Sequence, residues 1–360
     1  MISRIAIFLF VLPILFFAGC SQKTSYDVPE TLFEEIIQSR EPFGARTLAN
    51  HWRAFEKLGE AYRGDSDLLR AKSLFANFLG QHLNLDKQTI KSAHYDILAE
   101  YGANLLLSTP ENVVLVVYYD EIFYSAMFAR EVLGIKPETK VIWAKILPVP
   151  EYQKYLKKQY GIEIPEQLPN SRDIGSKLHE TAVTEICMWL TDSSRIAVLF
   201  DPNMPLTLRG QPGGVLYGLG KLFGADLPEE EILARNMKLF GETFIFDAVA
   251  DTTIAHPKLI SGLVQWFVDA PLAMSRHSLA EGDTVSYAAT VKMLVDRLPA
   301  LWKPAYAYLQ LGQNLPDEEK NELLTRVERY ARLNPRDKSA KKAYDDLIKP
   351  KAETGNYERQ

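Results

Sequence analysis

Three carboxylates follow apolar, β-branched runs that read as strands. Asp120 and Glu121 follow residues 113–117 after two tyrosines, and Asp201 comes directly after residues 196–200. In open parallel sheets, ligands bind beyond the carboxyl ends of the strands. We therefore expect these three side chains to lie together at one edge of a sheet.

These carboxylates have two interpretations. Asp120 and Asp201 could accept hydrogen bonds from sugar hydroxyls while a neighbouring ring, Tyr118, Tyr119 or Trp143, stacks on the sugar. Alternatively, both Asp residues occupy turns and helix N-caps, which suit their short acceptor side chains. The first interpretation gives a candidate ligand-binding set: Asp120, Glu121, Asp201, Tyr119 and Trp143.

Other catalytic and cofactor motifs are missing from the sequence. The six His residues are scattered without a metal-ligand spacing, which gives a zinc site no support. In the Gly-rich stretch 206–224, Gly220-Lys221 is followed by Leu222, where a Walker A loop requires Ser or Thr. We predict a turn and a strand there, and we expect no metal, no cofactor and no assigned catalytic residue.

The elements that must position the carboxylates form a βαβ pattern. Residues 113–118 and 140–146 read as strands and residues 121–133 as the helix between them, while residues 195–200 read as a third strand. Right-handed crossovers would make the three strands a small parallel sheet covered by helices. The expected fold class is α/β plus α: a Rossmann-like parallel sheet flanked by helical hairpins.

The N-terminus predicts a secreted, lipid-anchored protein. Arg4 supplies a positive charge, residues 5–17 are almost wholly apolar, and Phe17-Ala18-Gly19-Cys20 resembles the lipobox of bacterial lipoproteins. That resemblance implies cleavage before Cys20 and acylation at this residue, and two or three acyl chains hold a protein stably on a membrane. Ser21 after the cysteine favours the periplasmic face of the outer membrane.

Helical patterns flank the α/β segment on both sides. Residues 45–80 read as a helical hairpin, and five helical segments follow residue 255, joined by turns that resemble those of tetratricopeptide (TPR) repeats. The sequence is therefore divided into a signal peptide (1–19), a tether (20–42), a helical segment (43–110), a small α/β domain (111–225), a TPR-like helical region (226–348) and a tail (349–360).

The amino-acid composition bears on which kinds of partner the protein can bind. The 360 residues are 47% hydrophobic and carry a net charge of −5, which gives no support for nucleic-acid binding, since that requires clustered Lys and Arg. With Cys20 acylated, Cys187 is the remaining cysteine. Its apolar surroundings predict a buried small side chain rather than a nucleophile.

Several motifs resemble the soluble C-terminal region of bacterial protein O-mannosyltransferase-like membrane proteins, which are polytopic proteins of the GT-C type. The resemblance covers residues 101–299. It is carried by Tyr101-Gly102-Ala103-Asn104-Leu105-Leu106, Ser108-Thr109-Pro110-Glu111-Asn112-Val113, Asp120, Arg130-Glu131-Val132-Leu133-Gly134-Ile135-Lys136-Pro137, residues 195–200, Val215-Leu216-Tyr217-Gly218-Leu219, Asn236-Met237 and Leu298-Pro299.

The sequence departs from that family in two ways. Where the family's first strand ends in Gly-Asp-Asn-Asp-Thr, this chain has residues 119–123, Tyr-Asp-Glu-Ile-Phe. The first Asp, Asp120, is retained. After residue 19 no apolar stretch approaches the length of about 18 residues that a membrane span needs. The resemblance therefore implies an accessory domain without the membrane-embedded catalytic half.

The leading functional expectation is a non-enzymatic lipoprotein of the bacterial envelope. It would bind a protein partner or a glycan in envelope glycosylation or polysaccharide assembly. The first alternative is a carbohydrate-active enzyme with Asp120, Glu121 and Asp201 as its carboxylates. The second is a structural envelope protein whose acidic edge is solvated surface.

Overall fold

The computed structural model describes most of the chain after residue 91. The described residues are 56–60, 72, 75, 76, 92–192, 196–202, 204, 214–225, 227–251, 258–280, 282–311 and 315–348. The predicted signal peptide, Cys20, the tether, most of the predicted hairpin at 45–80 and the tail lie outside these residues.

A five-stranded sheet forms the centre of the α/β part. Its strands are β1 (Val114–Val117), β2 (Val141–Trp143), β3 (Val198–Phe200), β4 (Val215–Tyr217) and β5 (Gly220–Phe223), in the order β2-β1-β3-β5-β4. β1 pairs in parallel with both β2 and β3, as predicted. Every residue of these three strands is buried, which explains why they read as continuous apolar runs rather than alternating ones.

The other half of the sheet is antiparallel, which corrects the prediction of a wholly parallel sheet. β5 pairs antiparallel with both β3 and β4. Gly218 and Leu219 form a two-residue turn between β4 and β5, and strands joined so tightly must run in opposite directions. The predicted turn and strand are confirmed for residues 214–224, whereas residues 205–213 lie outside the described part of the chain.

Four helices accompany the sheet, and the second of them corresponds to the helix predicted at residues 121–133. α2 is the crossover between β1 and β2, and it contacts both α1 and β2. Its residues 122–130 are all buried because it lies between these neighbours. The four helices are α1 (Ser92–Ser108), α2 (Asp120–Glu131), α3 (Pro150–Tyr160) and α4 (Lys177–Asp192).

The rest of the described chain is helical. From α6 onward, each helix packs against the next one in chain order. No helix in the described residues combines the length and the apolar character that crossing a membrane requires. The elements are α5 (Glu229–Lys238), a π-helical turn (Leu239–Thr243), α6 (Lys258–Ala280), α7 (Thr284–Arg297), α8 (Trp302–Gln310), α9 (Asp317–Leu333) and α10 (Lys338–Ile348).

One face of α1 binds the backbone of two remote segments. Asn104 accepts a hydrogen bond from the N–H of Ile245 at 2.8 Å and donates one to the carbonyl of Ile245 at 2.7 Å. One turn later, the Ser108 hydroxyl accepts from the N–H of Leu219 at 2.9 Å. Residues four apart lie on one face of a helix, so α1 fixes both the β4–β5 turn and the segment after the π-helical turn.

Glu100 continues the same face one turn earlier. Its carboxylate accepts hydrogen bonds from the N–H groups of Ala248 at 2.5 Å and Val249 at 3.2 Å. Burial raises the pKa of Glu100 to about 7, although both backbone hydrogen bonds favour the charged form. The attachment of residues 245–249 to α1 therefore includes a group that titrates near neutral pH.

The backbones of α1 and α2 come into contact at Gly102. A Cβ at this position would lie 2.3 Å from the carbonyl carbon of Ser125. Glycine is unfavourable inside a helix, but any side chain here would push α2 away from α1. The close approach thus requires glycine at residue 102.

Gly102→Ala should destabilise the protein by about 1–3 kcal/mol because the added methyl group overpacks the contact with Ser125. Gly262→Ala in α6 is the matched control, since a Cβ there meets nothing within 4 Å. We expect the control to gain about 0.5–1 kcal/mol from its higher helix propensity. Urea unfolding of both variants measures this, and equal effects would contradict the proposed contact.

Candidate functional site

Two parallel strands end side by side and bring opposite charges together. Asp120 is the first residue of α2 and is separated from the end of β1 by two residues, and Lys145 lies in the 3₁₀ turn (Ala144–Ile146) that follows β2. The Lys145 ammonium donates to both carboxylate oxygens of Asp120, at 2.8 and 3.0 Å. Both side chains are partly exposed, at 26% and 18%, so the ion pair is accessible from solvent.

Glu121 lies behind this ion pair. Burial raises the pKa of its carboxyl, and the negative charges of Asp120 and Asp201 raise it further, while Lys145 opposes them. β1 and β3 are parallel neighbours, so Asp120, Glu121 and Asp201 all follow strand ends at the same edge of the sheet, as predicted. Burial and two negative neighbours therefore both favour the protonated form of Glu121.

Asp201 is the most enclosed member of the cluster. It follows β3, is 1% exposed, and its Oδ1 accepts a hydrogen bond from the Tyr101 hydroxyl on α1 at 2.9 Å. Its backbone N–H donates to the carbonyl of Val116 at 3.0 Å, which extends the pairing of β3 with β1. Tyr101 was predicted only as part of a family motif, and its partner lies 100 residues away in sequence.

Tyr119 is the exposed aromatic residue at this edge. It precedes α2, is 39% exposed, and its ring lies edge-on to Tyr118 at 5.3 Å. Tyr118 is more enclosed, and burial raises the pKa of its hydroxyl, as does the nearby Glu180. An exposed ring beside the Asp120 carboxylate is the combination that the sequence suggested for stacking on a sugar.

Trp143 does not lie where a ring that stacks on a sugar would have to lie. It is 1% exposed, its ring stacks on Phe123 at 4.6 Å, and its indole N–H donates to the carbonyl of Tyr118 at 3.1 Å. The short strand β2 is buried on both faces, so its side chains point into the core whichever way they face. Trp143 therefore supports the sheet edge from within and presents no free ring face to a ligand.

His179 is a component of this edge that the sequence did not single out. It lies on α4, is buried, and its Nε2 is 2.7 Å from the carbonyl oxygen of Lys145. A carbonyl oxygen only accepts, so Nε2 carries the hydrogen. His179 thereby fixes the backbone of the turn that presents Lys145 to Asp120.

A cavity of about 250 Å³ adjoins Asp201. It lies between the end of β3, the β4–β5 hairpin and α6. Two charged side chains, Asp201 and Lys221, take part in its lining. The other described residues of its lining are apolar: Phe200, Pro202, Met204, Leu216, Phe223 and Trp266.

The charges at the edge select against anionic ligands. In sheets of this kind, the N-terminus of the first crossover helix commonly binds phosphate through its backbone N–H groups and its dipole. Here the first turn of α2 contains Asp120 and Glu121, which occupy that favourable potential themselves. The edge is consequently suited to neutral or cationic ligands that donate hydrogen bonds.

This chain was also compared with known proteins. No family model, curated protein or solved structure matches it. Its function therefore has to be inferred from the chemistry of the sheet edge and of the adjoining cavity.

The described residues also bear on two other kinds of site, a metal centre and a nucleophilic cysteine. Within that part of the chain, no group of three or more His, Cys, Asp and Glu side chains is arranged to hold a metal ion. Cys187 is buried, as predicted, and burial raises the pKa of its thiol well above the ordinary value. A buried thiol of this kind is a packing residue and a poor nucleophile.

The pKa of Glu121 should respond in opposite directions to two substitutions. Asp120→Asn removes a negative neighbour and should lower it, whereas Lys145→Met removes a positive neighbour and should raise it. NMR titration of the side-chain carboxyl carbon measures both shifts. Lys154→Met, at an exposed lysine of α3, is the control and should change nothing; shifts of the same sign would contradict the cluster.

Proposed function

We propose that this protein is a lipoprotein of the bacterial envelope, anchored by acyl chains on Cys20 to the periplasmic face of the outer membrane. The proposal rests on the order of charge, apolar run and small residues that ends in Phe17-Ala18-Gly19-Cys20. Residues 20–42 would serve as the tether between the membrane and the folded body.

The body acts as a non-catalytic accessory that binds a glycan at the carboxyl edge of its sheet. The observation that carries this proposal is the exposed ring of Tyr119 beside the partly exposed pair of Asp120 and Lys145. A carboxylate accepts hydrogen bonds from sugar hydroxyls and an ammonium donates to them, while the ring offers an apolar face. Glu121 and Asp201 shape the potential from behind this surface.

The helical region would contribute a second contact, with a protein partner of the envelope. Helices α6 to α10 pack consecutively, as the units of a TPR-like array do. Grooves between such helices bind partner helices or extended peptides. Together with the resemblance to the soluble region of mannosyltransferase-like proteins, this favours a role in envelope glycosylation or polysaccharide assembly.

One observation favours an enzymatic alternative. Glycosidases use two carboxyl groups, one of which has a raised pKa and acts as general acid. Glu121, whose pKa is raised by burial and by Asp120 and Asp201, has the character of such an acid. Hydrolysis of a bound glycan by the wild type, lost in Glu121→Gln with unchanged glycan affinity, would establish this alternative in place of the accessory role.

Tyr119→Ala should weaken glycan binding about tenfold, equal to ~1.4 kcal/mol, because the stacking face is lost. Binding of envelope polysaccharide fragments to the full-length protein in detergent can be followed by calorimetry. Tyr344→Ala, on α10 outside the sheet edge, is the control for a lost tyrosine ring. If both variants bind like the wild type, the glycan does not bind at this edge.

Cys20→Ser should abolish acylation and release the protein from the membrane fraction. The reason is that the diacylglyceryl group forms a thioether with the cysteine sulfur, which serine lacks. Mass spectrometry of the mature N-terminus and membrane fractionation measure the two effects. Cys187→Ser is the control, and membrane association that survives Cys20→Ser would refute the anchor.

A further inference from the structure

The 250 Å³ cavity beside Asp201 has the size of a small metabolite. A dry cavity of about 150 Å³ holds benzene, with its six carbon atoms, so the volume here corresponds to about ten non-hydrogen atoms. This is below the range of about 300–1,000 Å³ that is usual for pockets of drug-sized ligands. An oligosaccharide is too large to be enclosed in this volume, so we consider an occupant smaller than the glycan proposed for the sheet edge.

The residues that line the cavity also make a monosaccharide an unsuitable ligand. Three aromatic rings, Phe200, Phe223 and Trp266, together with Met204 and Leu216, provide apolar contacts. The Trp266 indole N–H is already engaged with the carbonyl of Leu219 at 2.6 Å. A sugar enclosed here would lose water from several hydroxyls, and the described lining offers charged partners at Asp201 and Lys221 for few of them, which is unfavourable. The ligand must therefore be largely apolar.

Two opposite charges complete the cavity. The Asp201 carboxylate is held by the Tyr101 hydroxyl, and a carboxylate can accept several hydrogen bonds, so a ligand donor can be added to that one. Lys221 is the direct cross-strand neighbour of Phe200, and its ammonium lies 5.3 Å from the centre of the Phe223 ring. Among the described residues, a largely apolar lining with one anionic and one cationic side chain matches a ligand that has both charges and an apolar body.

We propose that this cavity binds a free α-amino acid with an apolar side chain of about the size of leucine or methionine. The ligand ammonium binds Asp201, its carboxylate binds Lys221, and its side chain packs among Phe200, Phe223 and Trp266. The site adjoins the glycan surface through Asp201, but Tyr119 is not part of its lining, and ligand binding here does not depend on glycan binding.

Calorimetry with the full-length protein in detergent tests the assignment. L-Leucine and L-methionine should bind, whereas leucinamide, which lacks the carboxylate, and 4-methylpentanoate, which lacks the amine, should each bind at least about tenfold more weakly. Failure of both amino acids to bind at millimolar concentration, or equal affinity for leucine and its two analogues, would overturn the proposal.

A substitution then assigns the carboxylate end of the ligand. Lys221→Met should reduce leucine affinity about tenfold and leave leucinamide affinity unchanged, because the interaction that it removes is with the carboxylate. Lys238→Met, at an exposed lysine of α5, is the control. An equal loss for both ligands in Lys221→Met would show that Lys221 does not contact the carboxylate, and would refute the proposed orientation.

A cavity-filling variant tests the location independently of the charges. Leu216→Trp should abolish leucine binding by occupying the space, and Leu216 is only half-buried, so the larger side chain can be accommodated. Glycan titration of the same variant should match the wild type. Leucine binding that persists in Leu216→Trp would place the amino acid elsewhere, whereas loss of glycan binding alone would bear only on the sheet edge.

Discussion

The described structure depends on hydrogen bonds that one buried helix face makes to distant backbone. A buried backbone N–H or carbonyl without a partner is costly, and neither the β4–β5 turn nor the segment at residues 245–249 has a regular strand or helix partner for all its groups. Asn104 and Ser108 on α1 supply those partners. Ser108 leaves so little room that a Cβ on Gly218, which has a φ of +54°, would lie 2.3 Å from its hydroxyl oxygen. The helix thus connects the sheet with the helical region.

That connection also determines where the candidate sites lie. Tyr101 is on the same helix and holds Asp201 at the end of β3, so the polar cluster and the cavity share a support with the hairpin. On the other side of the sheet edge, His179 holds the turn that carries Lys145. Tyr119 and Asp120, whose side chains reach solvent at this edge, therefore lie next to elements that buried hydrogen bonds hold in place.

Much of this arrangement could be predicted from the sequence because it follows from local rules. The apolar runs gave the three parallel strands, the βαβ pattern gave the crossover helix α2, and the common direction of parallel strands gave the shared sheet edge of Asp120, Glu121 and Asp201. Long-range choices could not be predicted in this way. Trp143 lies in a strand buried on both faces, so no alternation marked which residues reach solvent. The bond between Tyr101 and Asp201 and the cavity near Trp266 depend on tertiary packing, which leaves no periodic signal.

The carboxyl group of Glu100 couples folding to the uptake of a proton. Its pKa rises from an ordinary 4.5 to about 7 when burial encloses it against residues 247–249. Between these two pH values the folded chain retains a proton that the unfolded chain has lost, so folding takes up a proton and unfolding releases it. The stabilisation linked to this proton is complete below pH 4.5 and is lost as the pH rises through about 7. The buffer takes up the proton that unfolding releases in that interval, so the measured enthalpy of unfolding should depend on the ionisation heat of the buffer. The attachment of residues 245–249 to α1 becomes weaker as the pH rises.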